Sequence, residues 1–188
     1  MPKMTTAPAA AAMFTDETLR KAADLADDAY RPIWTGPSGE ESSGEAVARH
    51  LEATIALLDK DGWIRIYNSA AEWSAGNTLA DDESMTVKAM LRQLIRYVRD
   101  ELGRDSSRTL FTALRHVSES EHGDADTRNI AESALDLVIR AHTGQNTALA
   151  NPWSERQHRT HADITALLTA GARFARTYGP ADQESQAA

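Results

Sequence analysis

The stretch Ser42–Tyr67, SSGEAVARHLEATIALLDKDGWIRIY, decides how the rest of the chain is read. Ser42 and, three residues on, Glu45 have the spacing of a capping box, in which each side chain satisfies a free backbone N–H of the first helical turn. Val47, Leu51, Ile55 and Leu58 then recur at steps of four, four and three, which is one face of an α-helix. Asp61-Gly62 ends it, with Gly62 suited to the left-handed position past a helix C-terminus. Trp63-Ile64-Arg65-Ile66-Tyr67 follows at once, short and rich in aromatic and β-branched residues, and predicts the one strand of the chain.

Working outward, the same helical signals recur. Thr15 predicts the N-cap of a first helix, with Asp16 and Glu17 at its positive end and a weak apolar face of Leu19, Ala22, Ala23 and Ala26. Arg31 to Gly44 carries the Pro, Gly and Ser of a loop, in which Trp34 is expected to be buried. The longest helix is expected from Ser84 to Leu102, with Val87, Met90, Leu91, Leu94, Val98 and Leu102 as its core stripe. A short helix follows over Ser107–Val117. Asp126 predicts the N-cap of another, closed by Gly144 and turning Ile130, Ala134, Leu137, Val138 and Ala141 inward. Asn146–Gln157 reads as a loop with Trp153, and Trp63, Trp73 and Trp153 are expected as core or lid residues over the helix ends. Thr160 and Asp163 have capping-box spacing and open the last helix, which faces Ile164, Leu167, Leu168, Gly171 and Phe174 inward and ends at Gly179-Pro180. The expected fold is mainly α: five to six helices around one core, with a short strand or hairpin near residues 63–67. Residues 14–180 are expected to form a single helical domain, with 31–44 as an internal loop and 1–13 and 181–188 as disordered tails.

The composition fits a helical core. Of 188 residues, 41% are hydrophobic, many of them alanine, and only 6% are aromatic. No cysteine is present, which excludes disulfides, thiolate metal sites and cysteine nucleophiles and points to a reducing cytoplasm. The N-terminal run is too weakly apolar for a secretory signal, and no stretch reaches the roughly 20 apolar residues of a membrane span. The net charge of −8 argues against non-specific nucleic-acid binding, but it is unevenly spread. Met85–His116 carries seven basic and three acidic residues, a local +4 that leaves −12 on the remainder.

Three groups of residues could carry chemistry. Lys88, Arg92, Arg96 and Arg99 recur at four, four and three, so a helix places four cations on one face, fit for phosphates or an acidic protein surface. His158, His161 and Asp163 are proper ligand types for zinc, iron or manganese, although the N-cap expected at Thr160 puts His158 outside the helix and gives Asp163 a capping task. His122–Asp126 alternates acids as calcium loops do, but lacks the glycine and the final glutamate of such a loop. No nucleophile elbow, phosphate loop or dinucleotide signature is present, and no catalytic residue or cofactor is assigned.

The order of landmarks resembles a family of small proteins of unknown function in actinobacteria, their plasmids and phages. The matching pieces are the amphipathic helix Val47–Leu58, Gly62-Trp63, Trp153 in a polar loop, and Arg159-Thr160 ahead of Ile164, Leu167 and Leu168, together covering about residues 46–178. The chain departs from that pattern at Ile64-Arg65-Ile66, where small polar residues and often cysteine are usual. The resemblance implies no activity. The Ala- and Arg-rich, Lys-poor usage independently resembles a high-GC genome. The resulting expectation is a soluble, cytoplasmic interaction or regulatory protein of a mobile element with a protein partner and no membrane partner. A nucleic-acid-binding accessory protein acting through the basic face and a metal-assisted enzyme are the alternatives. A wide apolar helix face serves a monomer core or a dimer interface equally well, so homo-oligomerisation stays open.

Overall fold

A computed structural model of the chain describes residues 13–66, 107–120 and 123–182. These form six α-helices: α1 (Asp16–Asp27), α2 (Gly44–Asp61), α3 (Leu110–Ser118), α4 (Ala125–Thr143), α5 (Ala150–Ser154) and α6 (His161–Tyr178). The helix expected over Ser84–Leu102, Trp73 and both tails up to Ala12 and from Gln183 lie outside the described residues.

The fold is mainly α, as the periodicities predict. α2 and α6 make the most extensive contact, α4 packs against both, α1 lies on α4, and α3 lies on α2 and α4. The stripes named from sequence meet in one apolar cluster: Val47, Leu51 and Leu58 from α2, Leu110 and Leu114 from α3, Ile130, Ala134 and Val138 from α4, and Ile164, Leu167, Leu168 and Phe174 from α6. α4 also buries Ala131, Leu135 and Ile139, because it is contacted on several sides and its apolar face is correspondingly wide. Close packing relies on glycine at two places. A Cβ at Gly171 would lie 2.6 Å from a Leu135 methyl, and one at Gly44 would lie 2.1 Å from the Ala175 carbonyl oxygen. Gly44 instead donates its N–H to Pro180 at 2.8 Å, which ties the start of α2 to the chain leaving α6.

Where caps differ from expectation, a tertiary contact decides. Thr15 caps α1, and Thr160 and Asp163 form the full capping box of α6. The α2 cap is Ser43 rather than Ser42, because the Ser42 hydroxyl pairs with Thr127 on α4 at 3.0 Å. The α4 cap is Asp124 rather than Asp126, whose carboxylate is taken by the backbone N–H and hydroxyl of Ser38. That contact pins the 31–44 loop and holds the Asp126 carboxyl below its usual range. Trp34 in the same loop stacks on Phe174 at 5.8 Å but is half-buried rather than buried.

The expected strand is reduced, within the described residues, to a single parallel bridge between Trp63 and Arg108. Arg108 donates its N–H to Gly62 and accepts that of Ile64, both at 3.0 Å, and its side chain pairs with Asp61 at 2.9 Å. Gly62 has a positive φ of 86° as expected, but with ψ of 154° it is extended rather than left-handed helical, a region open essentially to glycine alone. It thereby aims the chain at Arg108. Asn146–Gln157 is not all loop either. It holds α5, whose third residue is Pro152, a position in the first turn where a missing N–H costs no helical bond.

Candidate functional site

The packing of α3, α4 and α5 leaves an open groove with a volume of about 330 Å³. Leu110, Leu114 and Leu135 belong to the core and floor it with apolar surface. Phe111 on α3 and Leu149 just before α5 line it as well, and each is 42% exposed. Phe111 is exposed because α3 turns Leu110, Ala113, Leu114 and Val117 inward, which leaves the next position on its outer side. Leu149 is exposed because it occupies the N-cap of α5, in extended conformation with its side chain outside the helix.

The polar groups of the groove come from α4 and α5. Glu132 and Asp136 are four residues apart and so share a helix face. Asp136 accepts the N–H of Ala150 at 2.7 Å through Oδ1. Since Leu149 offers no capping side chain, Asp136 caps α5 from the neighbouring helix. Burial pushes the Asp136 carboxyl above its usual range, and the bond from Ala150 and the charge of Arg140 only partly counter it. Glu132 is raised for the same reason, against the opposing charge of Arg128. Arg128 Nε stands 3.6 Å from Glu132 Oε1, too long for a hydrogen bond, and both atoms are buried without a hydrogen-bond partner. Asn151 donates Nδ2 to Glu155 at 3.2 Å, and its buried Oδ1 likewise has no hydrogen-bond partner. Asp136 also borders a second cavity of about 350 Å³ beside Leu25, Ile33 and Arg140.

The residues singled out from sequence fall elsewhere. Lys88, Arg92, Arg96 and Arg99 lie outside the described residues. His158 is exposed in the turn before α6. Asp163 accepts both the N–H and the hydroxyl of Thr160 on one oxygen, the capping task expected of it. His161 opens α6 with Nε2 3.4 Å from Asp59 on α2. Among the described residues, no three His, Asp or Glu side chains converge in a group that could hold a metal ion. No helix of the described residues is long and apolar enough to cross a membrane.

Trp153, which sequence placed in core or lid, is 1% exposed. The Arg159 guanidinium lies 3.7 Å above its ring, and Phe14 packs 6.0 Å from it and 4.9 Å from His142. Burial, and secondarily the charge of Arg159, lowers the His142 pKa from its ordinary value.

Sequence reasoning missed the groove. Glu132 and Asp136 match no catalytic or metal-ligand motif and drew no reading from sequence, and the rim leucine, Leu149, sat in a segment read as a loop. The usable signal was Leu149-Ala150 next to Pro152-Trp153, an apolar patch too dense for a solvated turn.

No curated protein and no solved structure matches the chain. A family profile matches residues 42–174, a span that runs from the residue before the α2 cap into α6 and includes the whole groove. The chain belongs to that family, DUF6197, a family of unknown function.

Proposed function

We propose that the protein is a small interaction protein that receives a segment of a partner protein in the groove between α3, α4 and α5. One observation carries this reading: two large apolar side chains, Phe111 and Leu149, each 42% exposed, flank a groove floored by the core. Exposed apolar side chains grouped around a concavity mark interaction sites, whereas scattered ones do not. The acidic rim lends specificity, since a partner must answer its charge as well as its shape. A cytoplasmic location is supported by the cysteine-free sequence, which suits a reducing compartment. An origin in an actinobacterial plasmid or phage is supported by the Ala- and Arg-rich, Lys-poor usage of the sequence.

The test is affinity capture from native host lysate, with and without nuclease, comparing the wild type with Phe111→Glu and Leu149→Glu. A protein enriched by the wild type in both lanes and lost with either variant supports the reading. Equal enrichment by all three chains refutes it.

A second reading, a nucleic-acid-binding accessory role, rests on the helical spacing of Lys88, Arg92, Arg96 and Arg99 within a segment of charge +4. Replacing all four by alanine is then expected to abolish binding and flatten its salt dependence. Unchanged binding in that variant excludes it.

A further inference from the structure

The groove has more acceptors than donors. Glu132 Oε1 and Asn151 Oδ1 are buried and accept no hydrogen bond. Asp136 has Oδ1 engaged by Ala150, and among the described residues no donor is bonded to its Oδ2. The nearest cations neutralise part of this charge without filling the acceptors. Arg128 is ion-paired with Glu132 at 3.6 Å, too long to donate a hydrogen bond, and Arg140 gives its Nε–H to the carbonyl of Ala148 at 3.3 Å. Carboxylates set beside apolar walls with acceptor positions left unfilled are costly, and a donor-rich cation relieves the cost. An apolar wall and a cluster of unsatisfied acceptors therefore make two complementary demands on one occupant.

We propose that the occupant is a segment of a partner protein that presents a large apolar side chain next to a lysine or arginine, the apolar chain seated between Leu114, Phe111 and Leu149 and the cation meeting Asp136, Glu132 and Asn151. This rests on the reading of the groove as a partner site. The burial-raised carboxyls of Glu132 and Asp136 agree with it, since both return toward ordinary values when a cation enters. The net charge of −8 steers a basic segment toward the chain.

The test is selection from a random peptide library displayed on phage against the full chain. The same selection is run on Asp136→Asn, which keeps the acceptor for the Ala150 N–H, and on Leu149→Glu. Phe111→Glu serves as a second surface variant, and melting curves confirm that each is folded. Expected are peptides combining Leu, Ile, Phe, Met or Trp with Lys or Arg within four positions, lost with Leu149→Glu and Phe111→Glu, and weakened about tenfold or more by Asp136→Asn. Peptides that need Leu149 but carry no cation, or that bind Asp136→Asn equally well, overturn the charge requirement and leave the groove reading standing. Peptides indifferent to both rim variants, or no enriched peptides, overturn both. A dimer of the free chain that Leu149→Glu disperses assigns the groove to a second copy and also overturns the proposal.

Discussion

Replacing Asp136 by alanine and by asparagine is expected to give different results, because the residue does two separable things. Its Oδ1 caps α5 by accepting the N–H of Ala150 at 2.7 Å, and its charge sits in a place where burial disfavours it. Alanine removes both. Ala150 is 4% exposed, so water cannot readily replace the lost acceptor. An orphaned buried N–H costs about 1–3 kcal/mol, partly offset here by the loss of a disfavoured charge. A net loss of about 1–2 kcal/mol corresponds to a fall in Tm of about 2–8 °C for a chain of this size. Asparagine keeps the acceptor and removes only the charge, so at pH 7 it is expected to match or exceed the wild type. The pH dependence has a definite sign. A carboxyl raised above its ordinary value of 3.8 binds its proton more readily in the folded state, so stability falls as pH rises through that window. The advantage of Asp136→Asn over the wild type therefore grows from about pH 4 upward. Urea melts of the three chains from pH 4 to 8 measure this directly. If asparagine destabilises as much as alanine, or alanine costs nothing, the capping argument is wrong.

Further predictions follow from the same packing. Gly44→Ala must push the α6 carbonyl at Ala175 away from a Cβ only 2.1 Å from it, which costs about 1–3 kcal/mol of overpacking and a lower urea midpoint at unchanged slope. Arg176 bonds Glu45 and Glu52 on α2 and holds both carboxyls below their ordinary value of 4.5, so the stability they give is present above pH 4.5 and is lost as pH falls below it. These groups are exposed, so Arg176→Gln is expected to cost at most about 1 kcal/mol and to cost less in 1 M salt, as thermal melts will show. Thr160→Ala breaks the α6 capping box and is expected to cost about 1 kcal/mol. With Asp163 committed to that cap, zinc is expected to leave the wild-type Tm unchanged. A rise abolished by His158→Ala or His161→Ala would assign a metal there.

What the sequence revealed depended on the range of the interaction. Apolar stripes such as Leu51–Leu58 and Ile164–Phe174 were legible because burial follows the helical period directly. Thr15, Thr160 and Gly144 were legible because a cap is a contact within one turn. Ser42 and Asp126 were misplaced by one and two residues because each neighbour, Ser43 or Asp124, could cap equally well and a partner distant in sequence made the choice. Thr127 took Ser42, and Ser38 took Asp126. The groove was illegible for the same reason: α5 is held in place by Asp136, fourteen residues upstream of the N–H it accepts. The strand signal of Trp63–Tyr67 was local, and among the described residues it yields one bridge, from Trp63 to Arg108.

The proposed role of the α3–α4–α5 groove as the seat of a partner protein can be tested in the cell. Its most direct test places a photoreactive amino acid at position 149 and, as a control, at Tyr178, which is 39% exposed at the end of α6 and does not line the groove. After illumination in native host cells, the account predicts one discrete crosslinked protein from position 149, absent from position 178 and abolished by Phe111→Glu in the same chain. No specific product from position 149, or the same products from both positions, contradicts it.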